Sequence, residues 1–174
     1  MTEVSITPLR QLAAAALFLM AVIATASAGG LASATSIQSW YAEANKVAWN
    51  PPNWVFGPAW TLLYVALAVS GFLIWRSGFR GARAPNAARG SLAIFVVQLV
   101  LNSVWTPLFF AGYPAIGPLA WWISLGVIFT MILLTVCLIG VSRRWSRPAA
   151  WLLVPYLLWL VDASTLNAGV IALN

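Results

Sequence analysis

Apolar residues fall into five long runs, and polar and charged residues collect between them. The runs cover residues 9–28, 52–75, 87–110, 116–141 and 149–173. Each reaches the ~20 residues that a helix needs to cross a hydrocarbon core. No segment alternates with the period of two that marks a strand. The pattern predicts an all-α membrane protein, a bundle of five transmembrane helices forming one domain over residues 1–174. The longest polar segment, residues 29–51, is expected to be a lid-like loop, because long ordered loops in compact domains are often functional. The first run ends in Ala26-Ser27-Ala28, a small-residue pattern that also suits a cleaved signal peptide. Its length exceeds an ordinary signal core and favours a retained span.

Composition agrees with the pattern. The chain is 62% apolar and 7% charged, against roughly 25% charged residues in a soluble domain. Histidine is absent and Cys137 is the one cysteine. That excludes a histidine-rich metal site, a histidine-ligated haem and a Ser-His-Asp triad. The acids Glu3, Glu43 and Asp162 lie far apart, which disfavours paired-carboxylate catalysis. No resident cofactor is expected.

The net charge of +6 is unevenly placed. Arg76, Arg80, Arg83 and Arg89 flank the second connection, and Arg143, Arg144 and Arg147 occupy the fourth, whereas the first and third hold only Lys46. With five spans, both basic connections and the N-terminus fall on one side. The positive-inside rule makes that side the cytoplasm and puts the C-terminus outside. The charge orients the chain and can meet anionic lipid. A nucleic-acid partner would need a basic surface away from the bilayer, and none is present.

Polar groups inside a span are costly and usually face the bundle interior. Gln98, Asn102 and Trp105 share one stripe of the third span, either as hydrogen-bonding glue between helices or as polar contacts for an apolar ligand. Pro107 should bend or end that helix. Trp60 and Tyr64 share a face of the second span. Trp151, Pro155, Trp159 and Asp162 share one of the fifth, with Tyr156 beside it. Asp162 is expected to be protonated or bonded to Ser164, Thr165, Gln98 or Asn102, or to serve as a proton or cation site. In WNPPNWVFGPAW (49–60) the prolines are expected to start the second span, since proline is tolerated in a first helical turn. Trp49, Trp54 and Trp60 would ring its mouth.

These segments resemble the TspO/MBR family, the tryptophan-rich sensory and translocator proteins. The resemblance rests on WY at 40–41, NK at 45–46, WNPPNWVFGPAWTLLY (49–64), QLVLNSVWTPLFF (98–110) and VPYLLWLVDASTLN (154–167). It implies a five-helix bundle, commonly a homodimer, with a lidded pocket for porphyrins and related tetrapyrroles, and in some members sterols. Carried over by position, the pocket residues are Trp49, Trp60, Tyr64, Asn102, Trp105, Trp159 and Ala163, with Gln98 and Asp162 as possible polar contacts. The implied roles are sensing, regulation or transport of tetrapyrroles. The alternatives are light-dependent porphyrin breakdown through Trp49 and Trp159, and transport with Asp162 as its proton site. The chain departs from the family pattern at Val47, where a proline is usual, and at Ala48, where some members carry tryptophan. Ala168 and Ala172 stand where animal members carry the tyrosine and arginine of a proposed cholesterol motif. Asp162 replaces a usually small or apolar residue.

Overall fold

The computed structural model describes residues 6–79 and 85–174. The helices are α1 (Pro8–Gln38), α2 (Trp40–Glu43), α3 (Asn53–Ser77), α4 (Arg89–Phe110), α5 (Tyr113–Ile116), α6 (Leu119–Ser142) and α7 (Arg147–Leu173). Five of them, α1, α3, α4, α6 and α7, are long and apolar enough to cross a membrane. The five-helix bundle predicted from the hydropathy pattern is the observed architecture. Glu3, Arg80 and Arg83 lie outside the described residues.

Local chemistry sets where the spans begin and end. The Thr7 hydroxyl accepts from the Arg10 N–H at 3.4 Å and Pro8 opens α1. The Ser146 hydroxyl accepts from the Ala149 N–H at 3.2 Å, with Pro148 in the first turn of α7. Both arrangements satisfy or remove N–H groups that lack helical partners. Pro51 and Pro52 lead into α3 as expected, and Pro52 is its N-cap. Pro107 does not end α4, which runs on to Phe110. The loss of one N–H so near a helix end is small, and the Pro107 carbonyl accepts from both Ala111 and Gly112. Gly117, between α5 and α6, has φ of 62°, a conformation that side chains with a Cβ resist.

The largest departure from the sequence reading is in α1. It continues unbroken through residues 29–38, which the hydropathy pattern assigns to the lid. At 1.5 Å per residue the helix is about 46 Å long, beyond the ~30 Å hydrocarbon thickness. Thr25, Gly29, Ser33 and Ser36 recur at helical spacing and are buried. Thr25 and Gly29 let α4 approach closely: a Cβ on Gly29 would lie 3.3 Å from Thr106 Oγ1, and Ser103 donates to Thr25 Oγ1 at 3.1 Å. Small and hydroxylated residues pack membrane helices in this way. Their low hydropathy made the segment look like a loop. The covering segment is therefore residues 39–52, with α2 as its one helical turn.

The spans close a ring in the order α1, α3, α7, α6, α4 and back to α1. Leu67, Ile74, Phe95, Ile128, Met131, Leu138, Leu153 and Tyr156 fill it. A smaller aromatic cluster at the lid end contains Tyr41, Phe109, Trp121 and Val170. Leu62, Leu133 and Leu158 point outward, where lipid would meet them. At Gly71 the rings of α1 and α4 press on α3, since a Cβ there would lie 2.7 Å from the Phe18 ring and 2.8 Å from Phe95. Gly71→Ala should cost about 1 kcal/mol through overpacking. Thermal unfolding in detergent should show it, and an unchanged midpoint would mean that the two rings have room to turn.

Candidate functional site: an aromatic cavity under a lid

A cavity of about 380 Å³ lies among α1, α3, α4 and α7, beneath the covering segment. Trp60, Tyr64 and Phe56 of α3, Trp105 and Phe109 of α4, and Trp159 and Ala163 of α7 supply its walls. The extension of α1 contributes Gly29, Gly30, Ser33 and Ile37, and Tyr41 comes from the covering segment. Trp60 stacks on Tyr64 with centroids 5.2 Å apart and meets Trp159 edge-on at 6.0 Å. Trp105 stacks on Phe109 at 5.5 Å. No charged side chain lines the space among the described residues. Trp105 Nε1 and Asn167 Oδ1 are buried without a hydrogen-bond partner among the described residues, and both residues line the cavity.

The structure brings together Trp60, Tyr64, Trp105, Trp159 and Ala163 of the residues singled out from sequence. The others lie elsewhere. Asn102 and Gln98 are almost wholly buried and not on the cavity wall. Asn102 stands behind Tyr64, whose hydroxyl donates to Asn102 Oδ1 at 2.8 Å. Asn102 Nδ2 and Gln98 Nε2 donate to the Tyr156 hydroxyl at 2.9 and 3.0 Å. Their geometry is that of glue between α3, α4 and α7. Gln98 Oε1 is left without a partner among the described residues. Turning that amide over would give the Tyr156 O–H an acceptor without moving a heavy atom.

Trp49 is 61% exposed and its indole N–H donates to Thr165 Oγ1 at 3.0 Å. Trp54 is also exposed, so of the expected ring at the mouth only Trp60 faces the cavity. On α7 the predicted stripe divides: Trp151 and Pro155 are exposed, and Trp159 turns inward. Asp162 is off the cavity wall. The expected partners of its carboxylate are engaged elsewhere, since Ser164 donates to the Val161 carbonyl and Thr165 to the main-chain carbonyl of Asp162. Sequence reasoning missed Phe56, Phe109, Asn167 and the small residues of α1. The glycine and serine spacing over 29–36 was the signal that could have found the last group.

The covering segment is pinned at several points. Trp40 Nε1 donates to the Phe110 carbonyl at 3.0 Å, and the Trp40 ring contacts Tyr113 and Trp121. Tyr41 donates to Asn50 Oδ1 at 3.3 Å, with Lys46 Nζ 4.6 Å from the centre of its ring. Burial pushes the Tyr41 phenol above its ordinary value, so it stays a neutral donor through the physiological range. Asn45 and Asn174 bond each other twice, through the Asn45 N–H to Asn174 Oδ1 and through Asn174 Nδ2 to the Asn45 carbonyl. Val47 seats directly on Gly169, where an added Cβ would collide with its Cγ1 methyl. Valine has few other rotamers, so Gly169→Ala should lift the segment. Tryptic cleavage after Lys46 should then accelerate about five-fold, equivalent to about 1 kcal/mol of local opening. Adding Val47→Ala should restore the original rate. Unchanged cleavage in the single variant would show that this contact does not hold the segment down.

These features define a small multi-pass membrane protein built around a lidded aromatic cavity. The family model described as TspO/MBR family matches residues 16–173, and the chain belongs to that family. It is 38% identical over 156 residues to the tryptophan-rich protein TspO of Archaeoglobus fulgidus, covering 90% of this chain and 94% of that one. It is 32% identical to protein CrtK of Rhodobacter capsulatus, covering 91% and 92%. It is 34% identical to the human translocator protein, covering 74% and 70%.

Proposed function

We propose that this protein binds a porphyrin or related tetrapyrrole in the cavity under the lid, and acts in sensing, regulation or transport of that ligand. The observation that carries the reading is the wall itself: flat rings from three helices surround a space that no charged side chain lines among the described residues. Aromatic faces favour offset or edge-on contact with another flat π-system, and a macrocycle presents such a surface. The test is tryptophan fluorescence of the purified protein titrated with protoporphyrin IX. Saturable quenching, displaced by a second tetrapyrrole and not by cholesterol, is expected. Saturation by the sterol without saturation by the porphyrin would overturn the reading.

Light-dependent breakdown would begin from the same complex, with Trp159 as the candidate electron donor on the wall. Product formation under illumination, above a detergent control, separates it from binding alone. The orientation proposed is N-terminus in the cytoplasm and C-terminus outside, because Arg10, Arg76, Arg89, Arg143, Arg144 and Arg147 gather at the end away from the lid. A homodimer, as the family resemblance implies, is also proposed, and light scattering with detergent correction reads it directly.

A further inference from the structure

A second hollow lies at the end of the bundle away from the lid. It is a groove of about 600 Å³ between the last turns of α6 and the first turns of α7. Arg143, Arg144 and Arg147 form its rim, Gly140 and Val154 belong to its wall, and the exposed Trp151 stands at its edge. We propose that this groove binds one anionic glycerophospholipid, with the phosphate held by the arginines and the upper part of an acyl chain lying in the groove.

Charge is the first argument. Three guanidinium groups lie within five residues, and all three side chains are exposed. The carboxylates among the described residues are remote: Glu43 is in the covering segment at the opposite end, and Asp162 lies fifteen residues beyond Arg147 on α7, about 22 Å by helical rise. The arginines therefore repel one another and favour a multivalent acceptor. A phosphate fits, because guanidinium donates to it in a planar fork.

Depth is the second argument, and it separates a lipid from a free anion. The wall runs from the arginine rim into the spanning part of both helices, through Gly140 and Val154. A soluble anion would use only the rim. A phospholipid uses rim and wall together, as basic pockets between membrane helices do for anionic headgroups. Trp151 is 71% exposed beside the rim, in the position where indole rings concentrate at the membrane interface. Space is the third argument. A Cβ on Gly140 would meet nothing within 4 Å, so the glycine leaves the wall open where a chain would lie. Arg10, Arg76 and Arg89 are at the same end of the bundle but line no part of the groove. Arg10 is set over the Phe79 ring, 4.6 Å from its centroid.

Native mass spectrometry of the full chain, with phosphatidylglycerol or phosphatidylcholine added, tests the proposal. One retained phosphatidylglycerol is expected, preferred over phosphatidylcholine by about tenfold or more. The triple variant Arg143→Gln, Arg144→Gln, Arg147→Gln should lose that preference. The matched triple Arg10→Gln, Arg76→Gln, Arg89→Gln should keep it. Gly140→Phe, which preserves every charge and fills the groove, should also lose it. Equal loss in the two triples would assign the effect to general surface charge and overturn the site. Full retention in Gly140→Phe would show that no chain sits in the groove and overturn it as well. Displacement by glycerol 3-phosphate or inorganic phosphate at the same concentration as the lipid would make this a free-anion site, which also overturns it.

Discussion

Replacing Trp159 with alanine is expected to weaken protoporphyrin IX binding about 30-fold. A buried tryptophan covers roughly 150–250 Å². Losing about 80 Å² of that as contact with a macrocycle forfeits about 2 kcal/mol at 25 cal/mol per Å², which is about 30-fold in Kd. The residue is well placed for that role, since it faces the cavity with Trp60 edge-on beside it and Phe56 5.8 Å away on another side. Trp49→Ala supplies the contrast. That ring is outside the cavity and tied to Thr165, so its loss should change Kd by less than about three-fold. Quenching titrations on both variants measure the difference. Equal losses, or a larger loss for Trp49→Ala, would move the ligand out from between Trp60 and Trp159 to the rim.

Tyr156→Phe is expected to destabilise the bundle by about 2 kcal/mol. The hydroxyl bonds the Asn102 and Gln98 amides in the centre of the bundle, and removing it strands two buried amide groups. A buried donor left unmade costs roughly 1–3 kcal/mol. Side-chain bonds in membrane bundles average only about 0.6 kcal/mol because the disrupted state finds other partners, so the two losses together fall near the middle of the range. The unfolding midpoint in detergent should drop by about 5 °C. Tyr64→Phe removes one bond at the margin of the same network and should cost about half as much. If it costs as much as Tyr156→Phe, Tyr156 is not the hub. Asn102→Ala should act on ligand affinity only through the orientation of Tyr64, with a smaller effect than Trp159→Ala.

The family resemblance and the five spans were legible because both are carried by local features. Hydropathy is summed residue by residue along the chain, and neither it nor the proline-rich lead-in to α3 depends on what packs where. Arginine placement is equally local, and it argues for an orientation without any tertiary contact. The candidate site was only partly legible. Trp60, Tyr64, Trp105, Trp159 and Ala163 could be named and are brought together. Asn102 and Gln98 looked equally suitable, since a buried amide that glues helices and one that touches a ligand have the same spacing. Asp162 drew notice for its charge, and Trp49 for its motif, yet neither faces the cavity.

What the sequence by itself determined is that five segments are apolar and long enough to cross a bilayer, and which family the chain belongs to. The tertiary structure decided which way each helix is turned. In a soluble helix one apolar face marks the inside, but here lipid and core are both apolar, so Trp151, Pro155 and Trp159 share a stripe and only Trp159 turns inward. Thr25 and Gly29 pack α1 against α4, and the helix runs on through Ser33 and Ser36 where hydropathy predicted loop. Gly71 and Gly169 admit Phe18 and Val47. Such contacts are made between segments distant in sequence, which no local pattern reveals.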